Sequence, residues 1–234
     1  MKKGDEIRTR ILNAAEKLFT EKGFDNTTTR DIAQNSDLQH GNLYYYYKRK
    51  DDILLDILKL RMVSMFKFLG DRIESDDLFL MYPVFLRIFV DIFMIKPERI
   101  GLFIVSMTNN YLRDRVIDVY FQVYDFHFNN TSYDKEKIYI ATIATVGLQS
   151  TLLVKFFRGE LDMSKDEVCT LITKKTYAGI IPESLIDEYN EKSVIVKNKF
   201  FEKNISEYFK TLSYSPLVYD KRICANKKIG IWGQ

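Results

Sequence analysis

The chain has 234 residues, of which 46% are hydrophobic and 29% charged, enough apolar material for one large or two small domains and a poor match to fibrous, disordered or disulfide-scaffold proteins. With only ten Gly and four Pro, it suits long helices better than a loop-rich barrel or sandwich. The formal charge of +3 is a faint basic bias that identifies no partner, because local cations can be cancelled in the sum by acids elsewhere.

From Glu6 to Glu21 the apolar positions Ile7, Ile11, Leu12, Ala15, Leu18 and Phe19 recur at helical spacing, and Gly23 can stop the helix in the left-handed conformation. Thr28 then offers a cap, with Asp31 three residues on, where a carboxylate favours the positive helix terminus. Ile32 and Ala33 give this second helix a short inward face. A turn through Ser36, Asp37, Leu38 and Gln39 leads to a segment, His40 to Tyr47, too short to be stable unless it packs Leu38, Leu43 and its aromatic face on its predecessors. Two short helices joined by a tight turn and buttressed by a longer one make a helix-turn-helix. After Lys48, Arg49 and Lys50, a helix begins near Asp51 and runs to Leu69 or beyond.

Further helices are expected over Asp76 to Ile95 despite Pro83, Glu98 to Met107, Tyr111 to Phe128, Lys135 to Phe157 and Asp162 to Ala178. The breaks fall at Pro97, Asn109–Asn110, Asn129–Asn130, Gly159, and Gly179 with Pro182. The uncharged run Ile138 to Val154 contains Thr142, Thr145, Gln149, Ser150 and Thr151, which favours a buried helix over a membrane span. An amphipathic helix from Glu183 to about Lys210 precedes a less regular tail with Pro216 and the cations Lys221, Arg222, Lys227 and Lys228. Cys169 and Cys224 lack metal-ligand or CxxC spacing, and the start MKKGDEIRTR has no apolar signal core, so a reducing cytoplasm is the expectation.

The segments ILNAAEKLFTEKGFDNTTTRDIA and LQHGNLYYYYKRKDDIL resemble the N-terminal DNA-binding domain of TetR-family transcriptional regulators. The likeness rests on Lys22-Gly23-Phe24, Thr27-Thr28, Ile32-Ala33, Gly41, Leu43-Tyr44, Tyr46-Tyr47 and Lys50 in the family's order, over roughly a quarter of the chain. The departures are Asp37 where glycine is frequent, Gln39 where the cap is usually small, Tyr45 where His is common, and Tyr47 in place of Phe. The resemblance implies an all-α fold. A three-helix DNA-binding domain at residues 1–50 would be followed by a helical ligand-binding and dimerisation domain at 51–210 and a basic tail at 211–234.

It also implies that the segment from Gln39 to Tyr46 enters the major groove. Gln39, His40 and Asn42 are the base-reading candidates, since Gln and Asn can pair with adenine. Gly41 would allow close approach. Tyr44, Tyr45 and Lys50 would hold phosphates, as would Thr28 beside its capping role, with Arg30, Lys48 and Arg49 as further contacts. Tyr46 and Tyr47 belong to the small core.

One short recognition helix reads few bases, so a homodimer on palindromic double-stranded DNA is expected, joined through the helices at 135–157 and 164–179. The stretch from 80 to 130 is rich in aromatic and aliphatic groups that suit an apolar or aromatic small-molecule effector. Phe85, Phe89, Phe93, Met107, Tyr111, Tyr120 and Tyr124 are possible lining residues, each equally at home in plain packing, and Arg87, Asn109 and Asn110 would orient a polar end. No metal cluster, nucleotide loop or matched nucleophile and base set is present, so neither an enzyme nor a cofactor is expected. The family model makes the effector-responsive protein a repressor. The alternative is a helical scaffold or adaptor that keeps the fold without reading an operator.

Overall fold

The structure, a computed structural model, describes residues 3–73, 77–95, 99–128, 134–178, 180–208 and 216–224, the side chains of 78, 123–128, 202–208 and 222–223 excepted. The breaks expected at Pro97, Asn129–Asn130 and Gly179 lie outside the described residues, as do the side chains of Tyr124 and His127 and the cations Arg222, Lys227 and Lys228. Every regular element among the described residues is a helix.

The first, α1 (Lys3–Lys22), buries Ile11, Leu12, Ala15, Leu18 and Phe19 on one face and ends at Gly23, whose φ of +83° is the left-handed stop the sequence predicts. Helix α2 (Thr29–Asn35) starts on a capping box, in which the Thr28 hydroxyl accepts from the Asp31 amide while the Asp31 carboxylate accepts from the Thr28 amide. Helix α3 (His40–Tyr46) buries Leu43 alone, so it stands only by packing. Helix α4 (Lys50–Gly70) runs out of this module into the rest of the molecule and is buried on most sides, from Ile53 and Leu54 to Phe68 and Leu69.

The helices that follow are α5 (Leu78–Ile95), α6 (Ile100–Thr108), α7 (Asn110–Phe128), α8 (Lys135–Leu148), α9 (Val154–Phe157), α10 (Lys165–Tyr177) and α11 (Glu183–Tyr208). Pro83 is accommodated inside α5. Helix α11 lies along α5, with α10 against both. The stretch expected as one helix over Lys135 to Phe157 is divided by a π-helical turn, Gln149–Leu153, whose first residue accepts a hydrogen bond from the Tyr120 hydroxyl at 3.0 Å. Its expected burial is met on one side only. Thr142, Thr145 and Gln149 are inside, but Ile140 and Ile143 are about half exposed, with Gly147 and Thr151 following on the same helical face.

The expected irregular tail returns to the N-terminal module in its described part. Asn13 pairs with the Leu217 backbone in both directions, at 2.8 and 2.7 Å, and the Tyr219 amide donates to Thr9 Oγ1 at 2.9 Å. A last turn, α12 (Lys221–Cys224), packs on α4 and buries the Cys224 thiol. The Arg8 guanidinium lies over the rings of Tyr46, Tyr47 and Tyr219 at 5.1, 5.9 and 5.2 Å, joining α1, the end of α3 and the returning segment. Cys169 packs inside α10, and its burial pushes the thiol up to about 12.

Candidate nucleic-acid interface

The turn between α2 and α3 places Asp37 at φ +54°, the left-handed conformation that a glycine would adopt without strain. Aspartate tolerates it better than most side chains, so the departure at this position leaves the turn intact. Gln39 is the N-cap of α3 by backbone conformation but makes no side-chain capping bond, and its amide stays exposed. Asn42 is exposed one turn on, and a Cβ at Gly41 would meet nothing within 4 Å. Gln39, Gly41 and Asn42 therefore form an open polar edge at the start of a helix, with backbone able to approach a partner closely.

His40 has a second task. Its Nε2 lies 3.0 Å from Thr29 Oγ1, and the same oxygen is 3.2 Å from the Tyr44 hydroxyl. The His40 and Tyr44 rings meet edge to face at 4.9 Å. Thr29, a residue the sequence pattern does not single out, thus fixes α3 against α2. Tyr45 is the most exposed of the four tyrosines, at 78%, and Tyr44 is exposed at 38%, whereas Tyr47 is buried and Tyr46 is covered by Arg8. The run divides into two outward hydroxyls and two packed rings. Thr28, Arg30, Lys48 and Arg49 are also exposed, though the Arg49 guanidinium already stacks 4.0 Å from the Tyr111 ring. The Thr28 hydroxyl also donates to Asp31, and these bonds hold the Asp31 carboxyl below its ordinary range.

Lys50, expected to hold a phosphate, has partners within the chain. Its ammonium donates to the carbonyls of Phe24, Asp25 and Thr27 at 2.7, 3.4 and 3.2 Å and sits 4.3 Å from the centre of the Phe24 ring. It closes the turn between α1 and α2, where three converging carbonyls need a cation or donor.

Tyr47, at the C-terminal end of α3, donates its hydroxyl to Asp56 of α4 at 2.9 Å. Burial pushes the Asp56 carboxyl up to about 6, against the pull of Lys59 and of the Tyr47 bond. Burial likewise raises the Tyr47 phenol, so that it stays a donor.

Residues 11–57 match the family described as bacterial regulatory proteins, tetR family. The N-terminal module thus matches the TetR-family DNA-binding domain. Two relatives are similar over this module: the transcriptional regulator QacR of Staphylococcus aureus (strain Mu50), 39% identical over 23% of this chain and 29% of that protein, and the regulator HbdR of Aromatoleum sp. (strain CIB), 44% identical over 24% of each. The chain thus spans only about a quarter of the length of these relatives. A longer match, 28% identical over 53% of this chain and 66% of the relative, is to the regulator SAB2452 of Staphylococcus aureus (strain bovine RF122). No solved structure matches the chain.

Above the TetR-type module, a cavity of about 120 Å³ lies between α1, α4, α5, α6 and α7. Phe89, Phe93, Met107 and Tyr120 line it, as the sequence suggests. Other ligand candidates have different surroundings. Phe85 stacks on Phe66 at 4.2 Å in the core. Arg87, 2% exposed, is spent on Ser193 at 2.8 Å, Asp166 at 2.9 Å, Thr170 at 2.8 Å and Asn190 at 3.3 Å, tying α5 to α10 and α11. Asn109 caps α7 through the Leu112 amide at 3.2 Å, and Asn110 is exposed at the start of that helix. Tyr111 joins the TetR-type module to α7 by donating to Asp52 at 2.8 Å, its ring flanked by Arg49 and Arg115.

The cavity lining includes a pair the sequence does not disclose. Arg61 of α4 forks onto Glu16 of α1, its Nε to Oε1 at 2.7 Å and its Nη2 to Oε2 at 2.5 Å. Forty-five positions separate the two, so no local pattern marks them. Among the described residues no group of three or more His, Cys, Asp or Glu is placed to hold a metal ion.

Proposed function

We propose that the protein is a ligand-responsive DNA-binding transcriptional regulator, a repressor that holds a palindromic operator as a homodimer and releases it when a small molecule enters the helical domain. The observation that carries this reading is the outward edge of α3, where Gln39, Gly41, Asn42, Tyr44 and Tyr45 are exposed on a helix whose inward face is fixed by Leu43 and Tyr47. Such an edge suits base contacts flanked by hydroxyls for phosphate. The left-handed Asp37 supports it over a scaffold that keeps the fold without reading DNA, because the departure at this turn is absorbed locally.

The dimer contact we assign to the open face of α8 and the π-helical turn that follows it, where Ile140, Ile143, Gly147 and Thr151 share one side at spacings of three and four residues. The segment Lys135–Phe157 has a mean hydropathy of 1.5 in its most apolar window, only 33% of which is buried. A second copy of the same helix would cover that face isologously, with Gly147 allowing close approach. Ile143→Glu should convert the dimer to monomer in analytical ultracentrifugation. It should also weaken binding of a selected palindrome by about a hundredfold or more, because one half-site remains. An unchanged sedimentation coefficient would count against this face. Salt-sensitive binding of the palindrome in preference to scrambled duplex tests the regulator reading itself.

A further inference from the structure

The cavity is lined mainly by carbon, and its polar lining groups already have partners. Its wall is an aromatic cluster, with Phe89 and Phe93 meeting at 4.5 Å and Phe103 at 5.5 and 5.6 Å from them, completed by Met62, Met65 and Met107. Arg61 and Glu16 answer each other's charge through their fork, with side chains only 19% and 16% exposed. The Thr20 hydroxyl donates to the Glu16 carbonyl at 2.9 Å and the Ser106 hydroxyl to the Phe103 carbonyl at 2.7 Å, each within its own helix. Tyr120 donates to Gln149, and Arg99 is engaged within the chain as well.

Resting on the ligand-responsive reading above, we infer that the effector is an uncharged apolar molecule the size of a single substituted ring, held by shape without a polar anchor and sensed through the π-helical turn. The volume fits the class: at about 120 Å³ the space is of the order of an engineered apolar cavity of roughly 150 Å³ that accommodates benzene. The polarity fits it too. An acid or an amine either leaves its own charge unanswered or breaks the Arg61–Glu16 pair, and both outcomes put an unpaired charge where little water reaches. A hydroxyl gives up its water without gaining a partner. The three methionines, unbranched and adaptable, let the wall close around rings of different substitution.

The turn Gln149–Leu153 supplies the consequence for DNA. It is tied to the cavity wall on both sides, Gln149 by the Tyr120 hydroxyl at 3.0 Å and Phe157, just beyond it, by its ring contacts with Phe93 and Phe103 at 5.7 and 5.6 Å. Gly147 and Thr151, on the exposed side of this stretch, belong to the face assigned to the dimer. A ring that enters between Tyr120 and the phenylalanines spreads the two ties and shifts the turn between them. It therefore binds the operator-free arrangement more tightly than the operator-bound one, the differential affinity that coupling requires.

Three probes of equal heavy-atom count, ethylbenzene, benzyl alcohol and benzylamine, with benzoate as the anion, test this. Each is titrated against the full chain, alone in a melting experiment and on its selected operator. Ethylbenzene should raise the melting temperature and release the operator at about tenfold lower concentration than benzyl alcohol, and neither benzylamine nor benzoate should do either. Leu102→Trp, which fills the space, should abolish the ethylbenzene shift; if it fails to fold, the order of the probes decides alone. Gln149→Met cuts one tie outside the cavity lining, and should keep the melting shift while raising the concentration needed for release about tenfold. If that variant fails to fold, Phe157→Leu, on the other tie, makes the same comparison. Equal action of the probes, a preference for either ion, no shift with ethylbenzene, a shift that survives Leu102→Trp, or release unchanged by cutting a tie would overturn the inference. Failure to select any operator would count against the regulator reading instead, with the melting shifts still deciding the ligand class.

Discussion

Asp56→Asn should stabilise the protein near neutral pH by about 2–3 kcal/mol, an effect of unusual sign for a substitution at a buried polar site. The carboxyl sits largely buried against Tyr47 with its folded-state value raised from 3.8 to about 6. The folded protein therefore holds this proton more tightly than the unfolded chain. The stability the group contributes is greatest below 3.8 and is lost as the pH rises through about 6. Asparagine keeps an oxygen for the Tyr47 hydroxyl and carries no charge to desolvate. The difference in unfolding free energy between variant and parent, from urea titrations, should grow from about pH 4 to about pH 6 and then stay level. A difference that is flat with pH would show that burial does not raise the carboxyl.

The second large effect is at Lys50, where two accounts predict different measurements. If the ammonium mainly holds a phosphate, Lys50→Met should lower operator affinity across all sequences and reduce the slope of log affinity on log salt by about one. The geometry points the other way, to a loss of about 2 kcal/mol of folding stability with the salt slope unchanged, because the three carbonyls of Phe24, Asp25 and Thr27 lose their donor. Urea unfolding and salt-dependent anisotropy on the same preparation separate the two.

The contrast between Thr28 and Lys50 shows which parts of the molecule are legible in the chain. Thr28 and Asp31 are three residues apart, and so are the atoms of the capping box they form, so spacing alone predicts it. Gly23 is legible for the same reason, since its conformation serves the helix it ends. The partners of Lys50 are backbone carbonyls 23 to 26 positions away, invisible to any side-chain pattern. Asp56 reads as an ordinary polar position on a helix and becomes unusual only when Tyr47 and α12 enclose it. Arg87 and Tyr111 lie away from the cavity lining for a related reason. Both sit in the right stretch of sequence, but a helix has several faces, and theirs point to α11 and to the α4 terminus.

The open face of α8 has a different cause. Apolar composition over Ile138 to Val154 predicts burial, and the chain by itself buries Thr142, Thr145, Val146 and Leu153 while leaving Ile140 and Ile143 outside. In the proposed dimer, burial there depends on a partner, which hydrophobicity cannot distinguish from a core. In α3 the reverse holds. The four consecutive tyrosines look alike, and only packing decides that Tyr47 anchors the module while Tyr45 faces outward.

The central claim is that the edge bearing Gln39 and Asn42 reads bases. Unbiased selection from random duplexes, carried out in parallel with the parent protein and with Gln39→Ala combined with Asn42→Ala, tests it most directly. The parent should enrich one motif with two-fold symmetry. The variant, folded and dimeric, should lose discrimination at specific symmetric positions of that motif, by about 1–3 kcal/mol for each lost paired contact, while still binding duplex in low salt. Enrichment of no motif by the parent, or of the same motif with the same discrimination by both proteins, would contradict the account.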